Sequence, residues 1–379
     1  MRLDVTQIGP LFACNSTKLE VLGSLSLSIE QEVAWTFRSI EHSLSALNIH
    51  MSSIAHINVY VQNISEFAQM NAIYGKFFIS APPTRATVQV RWAEGKYFSG
   101  KRLLIDCLGV NHSFSSDIRK KNLHVQSISK WAPACIGPYA QANVLRLPVP
   151  KKANDDEDTK AYLELVTLAG QIALEPFIMK VEGGTAHSQL EMGFRHQLAV
   201  EKALQVNSFD TLLQVIYTTT SDKFTQIDTQ SSYRTQITLP ALPRGALSEI
   251  QSVLFKVPSP SAYHELHSPS RQMCCHMTGS SLLSALSITA TGSSDMESLV
   301  ADYIQFAMSS LLEVGFSMTD VLSWKIFFPP QLDHVILGDC LESILNAAKV
   351  DSVRICYVPI VSFPRGNSLE SQILCSKWS

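Results

Sequence analysis

Between Trp131 and Ala142 an apolar run is punctuated by Gly137, Pro138 and Tyr139. Glycine permits backbone geometry closed to other residues and proline fixes its own φ, so the Tyr139 ring and hydroxyl are held in one direction. No general base stands beside Tyr139 in sequence, which suits a hydroxyl that positions a carboxylate or a water rather than one that attacks. The same residues also read as an ordinary turn before a strand. Two other runs carry ligand-type side chains: His264, Glu265 and His267, then Cys274, Cys275 and His276. Neither has the His-Glu-x-x-His spacing of a helical zinc site or a second ligand pair, so the expectation is no metal. The sequence contains no Gly-x-Ser-x-Gly elbow and no glycine-rich phosphate loop ending in Lys-Ser or Lys-Thr, which removes the usual serine-hydrolase and nucleotide machinery.

The elements that must position such residues are written three times. A Ser followed three residues later by Gln or Glu recurs at Ser28/Gln31, Ser188/Glu191 and Ser294/Glu297, the pattern of a helix-opening capping box. Behind the first, Val33, Phe37, Ile40, Leu44 and Leu47 paint one helical face; behind the second run Leu190, Phe194, Leu198, Ala203 and Leu204; behind the third, Val300, Tyr303, Ala307, Leu311 and Val314. Each helix leads to a β-branched and aromatic stretch, 57–61, 212–219 and 321–328, which reads as a strand. Residues 65–78 and 333–348 then predict second helices, with further strands at 87–90, 103–106, 353–363 and 368–374. The second repeat has only the short polar stretch 221–230 where its second helix belongs. Before Ser28 only 19–27 reads as strand, and 1–17 carries no period. A repeat of strand, helix, strand, helix, strand, strand implies an α+β fold of mixed sheets with helices on one face.

Composition marks the boundaries. Residues 1–110 form a first unit, N-terminally incomplete; 111–130, polar and basic, a linker; 131–255 a second unit; 256–269, rich in proline and serine, a linker; and 270–379 a third unit. The acidic stretch within 151–160 is a solvated loop. With 46% hydrophobic and 17% charged residues the chain can bury cores, and its net charge of -3 gives no basic field for nucleic acid. Eight cysteines without a Cys-x-x-Cys pair suit reduced thiols. The start lacks the apolar segment of a signal peptide and no run is long enough for a membrane span, so the expected setting is cytoplasmic, with no membrane or nucleic-acid partner.

Residues 136–142, Ile-Gly-Pro-Tyr-Ala-Gln-Ala, followed by Ala169-Gly-Gln-Ile172, resemble the opening of the RidA/YjgF family of imine-deaminase-like domains. With Trp131-Ala-Pro in front, they resemble the form found in the C-terminal part of eukaryotic diphthine–ammonia ligases. The resemblance implies tandem RidA/YjgF-like, chorismate-mutase-like units in pseudo-trimeric packing. In that family an arginine binds the substrate carboxylate and a glutamate positions a water. The pairing is chemically sensible, because a guanidinium matches a carboxylate in two bonds and a desolvated glutamate shuttles a proton near neutral pH.

Carried over residue by residue, the family's Pro-x-Arg strand nominates Arg85 in residues 83–90. Leu104 stands where the partner glutamate belongs, so the first unit binds but does not hydrolyse. In the second unit the Leu-Pro turn at 242–243 nominates Glu249, with Arg234 where the arginine falls; in the third, Glu370, with Arg354 one residue out of register. Glu249 and Glu370 are thus the catalytic candidates, and Arg85, Tyr139, Arg234 and Arg354 the substrate-binding ones, with a complete site expected from Tyr139, Arg234 and Glu249. Those ligases amidate diphthine on elongation factor 2 with ATP and ammonia, through an N-terminal ATP-binding domain whose loop this sequence lacks. The expectation is therefore an accessory, ammonia-handling or binding region, as a fragment, splice form or region acting alone. It holds no cofactor of its own, its ligand is a small carboxylate or imine, and its partners are elongation factor 2 or a separate ATP-binding ligase domain. A free-standing 2-imino acid deaminase and a non-catalytic binding or assembly module are the alternatives.

Overall fold

The structure, a computed structural model, describes the chain except residues 1–2, 20–26, 93–97, 151–159, 207, 225–233, 259–260, 271, 293–295, 333, 348–354 and 379. The first sheet contains β1 (Val5–Ile8), β2 (Leu11–Asn15), β3 (Ile54–Val61), β4 (Thr84–Gln89) and β5 (Leu103–Val110), with helices α1 (Ile29–Ser45) and α2 (Phe67–Tyr74). The second contains β6 (Arg119–Leu123), β7 (Ala142–Pro148), β8 (Tyr162–Leu168), β9 (Gln171–Ile172), β10 (Asp210–Thr218), β11 (Thr235–Thr238) and β12 (Ser248–Lys256), with helix α3 (Ala186–Leu204). The third contains β13 (Ala262–His267), β14 (Met273–Gly279), β15 (Leu283–Ala290), β16 (Val321–Phe328), β17 (Ile355–Pro359) and β18 (Leu369–Ser376), with α4 (Met296–Glu313) and α5 (His334–Ala347). The repeated α+β unit expected from the sequence is what the sheets show.

Register proves the repetition more sharply than element order does. In each unit the post-helix strand runs parallel to one neighbour and antiparallel to the last strand, and each antiparallel pair shifts register at the same place: Ile54/His56, Thr211/Leu213 and Val321/Ser323. Beyond that bulge Tyr60 faces Leu104, Tyr217 faces Glu249 and Phe327 faces Glu370. Side chains alternate across a strand, so these positions all lie on one kind of sheet face.

That face is turned away from the helices. Val33, Phe37, Ile40 and Leu44 of α1 cover the other side of the first sheet through Ile57, Val59 and Ile105. The inner faces bury one another: Leu11, Leu108, Leu145, Leu165, Phe255, Leu283 and Leu374, drawn from all three sheets, form one apolar cluster. Near the centre the pattern turns polar. Lys325 pairs with Asp106 at 2.9 Å, Asn58 Nδ2 donates to Asp106, and Gln251 Nε2 donates to Asn58 Oδ1, around a cavity of about 60 Å³. The three sheets thus close into a pseudo-threefold ring.

Several expectations are corrected. Residues 5–8 and 11–15 form strands, while the strand expected at 19–27 falls largely outside the described residues. Both segments read as linkers supply edge strands, β6 and β13, whose exposed side chains carry no apolar alternation to betray them. Helix α3 is capped by Thr185, with Ser188 as its box partner rather than its cap, and Leu198 is exposed on it. Ser28 and Gln31 make the capping box that the sequence predicts. Ser294, the acidic loop at 151–159 and most of the polar stretch at 221–230 lie outside the described residues. Among the described residues no helix is long and apolar enough to cross a membrane.

Candidate functional site

The edge strand β4 of the first sheet runs against the second unit. Thr84 bridges to Ala140, Ala140 N donates to the Pro83 carbonyl, and Gly170 N donates to the Arg85 carbonyl at 3.1 Å. These bonds fix Arg85 at the junction. Its guanidinium lies 4.6 Å from the centre of the Tyr74 ring, 5.1 Å from that of Tyr139 and 5.5 Å from that of Phe67. Three aromatic faces therefore hold a cation that is only 3% exposed.

Gly137 is needed for this approach, because a Cβ there would stand 2.6 Å from Arg85 Nη2. Gly170 makes room for the facing carboxyl: a Cβ on it would lie 1.7 Å from Glu249 Oε1. Glu249 enters from β12 of the second unit, also 3% exposed, and lines one cleft with Arg85, Thr87, Tyr139, Ile172 and Pro243. The cavity left between them is about 20 Å³, enough for a water, since one water occupies roughly 10–15 Å³ of such space.

Burial raises the Glu249 pKa from 4.5 to about 8, with the Arg85 charge pulling the other way. Its carboxyl is therefore largely protonated at neutral pH. Burial pulls the Arg85 guanidinium below its ordinary range, although an arginine stays charged in proteins. Tyr139 is pushed up by burial and remains a neutral hydroxyl. Among the described residues, Arg85 Nη1 and Nη2, Glu249 Oε2 and Thr87 Oγ1 find no hydrogen-bond partner of good geometry. Buried polar atoms left unpaired cost about 1–3 kcal/mol each, so their convergence on one cleft marks a place prepared for a ligand. A carboxylate fits the two guanidinium nitrogens, and a protonated Glu249 beside it can give and retake a proton.

The remaining nominated residues are placed by register. Arg85 pairs with Ile57, three residues before Tyr60; before Phe327 the matching position is Ile355, and in the second sheet Arg234 stands one residue ahead of the ladder that starts at Val215 and Thr235. The junction between second and third sheets repeats the first in detail, with Thr238 bridging to Ser362 as Gln89 bridges to Ala241. It places Arg234 opposite the unit that carries Glu370. Glu370 is buried and accepts a hydrogen bond from Asn367 Nδ2 at 3.1 Å, while Arg234 lies 5.3 Å over the Phe194 ring, with burial and then the Arg365 charge lowering its pKa. The expected grouping of Tyr139 and Glu249 with Arg234 is corrected: the arginine that meets them is Arg85. Arg354 lies outside the described residues. Phe67, Tyr74, Thr87 and Gly170 were missed as site residues, although Gly170 stands inside the Ala-Gly-Gln-Ile motif that carries the resemblance.

Residues 18–98 match the family model described as Endoribonuclease L-PSP, the RidA-like domain. The diphthine–ammonia ligase of Schizosaccharomyces pombe is 26% identical over 190 residues, covering 50% of this chain and 27% of that protein. The Saccharomyces cerevisiae diphthine–ammonia ligase is 26% identical over 198 residues, covering 50% of this chain and 25% of the relative. The matches thus span about a quarter of each ligase. Protein HMF1 of Saccharomyces cerevisiae is 30% identical over 70 residues, covering 18% of this chain and 51% of that protein. Among solved structures, RidA from the Antarctic bacterium Psychrobacter sp. is 24% identical, covers 34% of this chain and 96% of its own, and has a TM-score of 0.25.

Proposed function

Since the chain carries a RidA-like domain and is similar to diphthine–ammonia ligases, we infer that it is the RidA-like region of such a ligase system. Its cleft between the first and second sheets would bind a small 2-imino acid and release ammonia from it. The observation that carries this reading is the convergence of buried Arg85 and a largely protonated Glu249, from different units, on one cleft that Thr87, Tyr139 and Ile172 also line.

Arg85 would take the carboxylate in a two-bond fork, with Tyr74, Phe67 and Tyr139 holding the guanidinium flat. Glu249 would give its proton to the imine nitrogen while water adds to the carbon. The carboxylate so formed would take a proton from the added water, and the resulting carbinolamine would lose ammonia to leave the 2-oxo acid. Imine and water are consumed, oxo acid and ammonia are formed, and Glu249 ends as it began. A pKa near the working pH suits a group that must both donate and accept. In the ligase setting the same step would place ammonia beside an amidation that needs it.

The test is ammonia release from freshly generated 2-aminoacrylate. Glu249→Gln is expected to lower the catalysed rate by about 100-fold or more, and Arg85→Gln to raise KM steeply. Carboxylate binding without turnover would leave a binding module serving the ligase; neither binding nor turnover would overturn the reading. Diphthamide formation from ATP and ammonia by this chain alone would overturn the accessory role.

A further inference from the structure

The hairpin of β13 and β14 lies at the edge of the third sheet. Its antiparallel register sets Glu265 opposite His276 and His267 opposite Cys274. On β14, Met273, Cys275 and Met277 are buried, so Cys274 and His276 point to the other side and share it with Tyr263, Glu265 and His267. Both sequence runs whose spacing argued against a metal therefore meet on one surface. The spacing that argument used belongs to helices, where ligands on one face are four apart; on a strand they are two apart, as Glu265 and His267 are, and Cys274 and His276.

Three of these residues bring ligand atoms together, and His276 joins them through Cys274. One ligand atom each from Glu265, His267 and Cys274 lie within 4.8 Å of one another. His276 Nε2 is 3.3 Å from Cys274 Sγ, His267 Nε2 is 3.0 Å from Glu265 Oε1, and Cys274 Sγ is 3.9 Å from Glu265 Oε1. Bonds of about 2.0 Å to nitrogen or oxygen and about 2.3 Å to sulfur put tetrahedral ligand atoms roughly 3.3–3.8 Å apart. The Tyr263 hydroxyl lies 2.7 Å from His276 Nδ1. Metal-bound histidines generally have the second ring nitrogen held by such a partner, which leaves Nε2 for the ion.

We propose that the outer face of this hairpin is a zinc(II) site, with Cys274, His276, His267 and Glu265 as its ligands. A thiolate and two imidazoles favour zinc over magnesium or calcium, which prefer oxygen. Binding exchanges the Cys274 thiol proton for the ion and changes no oxidation state. Glu265 and His267 are exposed, so the ion enters directly from solvent.

The test uses the full chain, reduced and stripped with a chelator, titrated first with cobalt(II). The expected result is a thiolate-to-cobalt charge-transfer band with tetrahedral d–d intensity, abolished by one equivalent of zinc. Cys274→Ser should remove the charge-transfer band, and Cys274→Ser and His276→Gln should each lower zinc affinity by about 100-fold or more, while Tyr263→Phe lowers it by about 10-fold. His264→Gln, on the opposite face of β13, should change nothing, and circular dichroism checks that each variant is folded. Absence of the charge-transfer band in the unaltered chain, or zinc affinity unchanged in both Cys274→Ser and His276→Gln, overturns the proposal.

Discussion

The junction between the first and second sheets and the one between the third and first are built from equivalent strand positions and carry opposite contents. The former sets Arg85 against Glu249. At the corresponding positions the latter has Ile355 and Leu104. Leu104 is wholly buried in the same apolar cluster as Tyr60, Trp324 and Phe327. One backbone design therefore accommodates either a desolvated arginine beside a buried carboxyl or hydrocarbon. The first costs stability and supplies the groups that the proposed deamination uses; the second does the reverse.

That contrast is broken most severely by exchanging its contents. Leu104→Glu puts an unpaired carboxyl into an apolar site and is expected to cost more than about 3 kcal/mol, read as a large drop in the denaturation midpoint. Glu249→Leu, its converse, should leave stability equal or higher while abolishing ammonia release. The second largest effect is expected at the arginines. By calorimetry, Arg85→Gln should weaken binding of a small 2-oxo carboxylate by about 100-fold; an equal loss from Arg234→Gln would show that the second and third sheets make the working cleft instead. Gly170→Ala comes next, since its Cβ must displace the Glu249 carboxyl, and a roughly 10-fold loss in kcat/KM with little change in carboxylate affinity is expected.

A pH series sharpens the electrostatic half of the comparison. Glu249 binds its proton more tightly when folded, with a pKa near 8, than when unfolded, near 4.5. Folding is therefore favoured at low pH by this group, and that advantage is lost as pH rises from about 4.5 through 8. Thermal scans should show Glu249→Gln and the unaltered chain differing least near pH 5, with the variant gaining progressively up to pH 9. A constant difference across that range would place the Glu249 pKa elsewhere.

Much of this was legible in the sequence. The Pro-x-Arg strand gave Arg85, the Leu-Pro turn gave Glu249, and the repeat put Leu104 where a glutamate would stand, as the register shows. What spacing does not encode is which unit meets which. Glu249 and Arg234 are close in sequence, and only closure of the ring brings Arg85 to Glu249 in place of Arg234. The aromatic cage was hidden for the same reason: Phe67 and Tyr74 fall in the stretch 65–78 that reads only as a helix, and their role appears only when Tyr139 of the next unit closes over Arg85. The edge strands β6 and β13 escaped because a strand with solvent on it needs no hydrophobic period.

Because the three sheets lie on a single polypeptide, Arg85 and Glu249 meet by an intramolecular event whose effective concentration is set by chain connectivity. A cleft shared between separate identical subunits would dissolve on dilution, and a substitution in it would be copied into every interface at once. Here dilution leaves the cleft assembled, and a substitution alters one junction while its neighbours keep their own residues. Each junction is thereby free to take a different sequence, as Leu104 and Ile355 stand where the neighbouring cleft has Glu249 and Arg85.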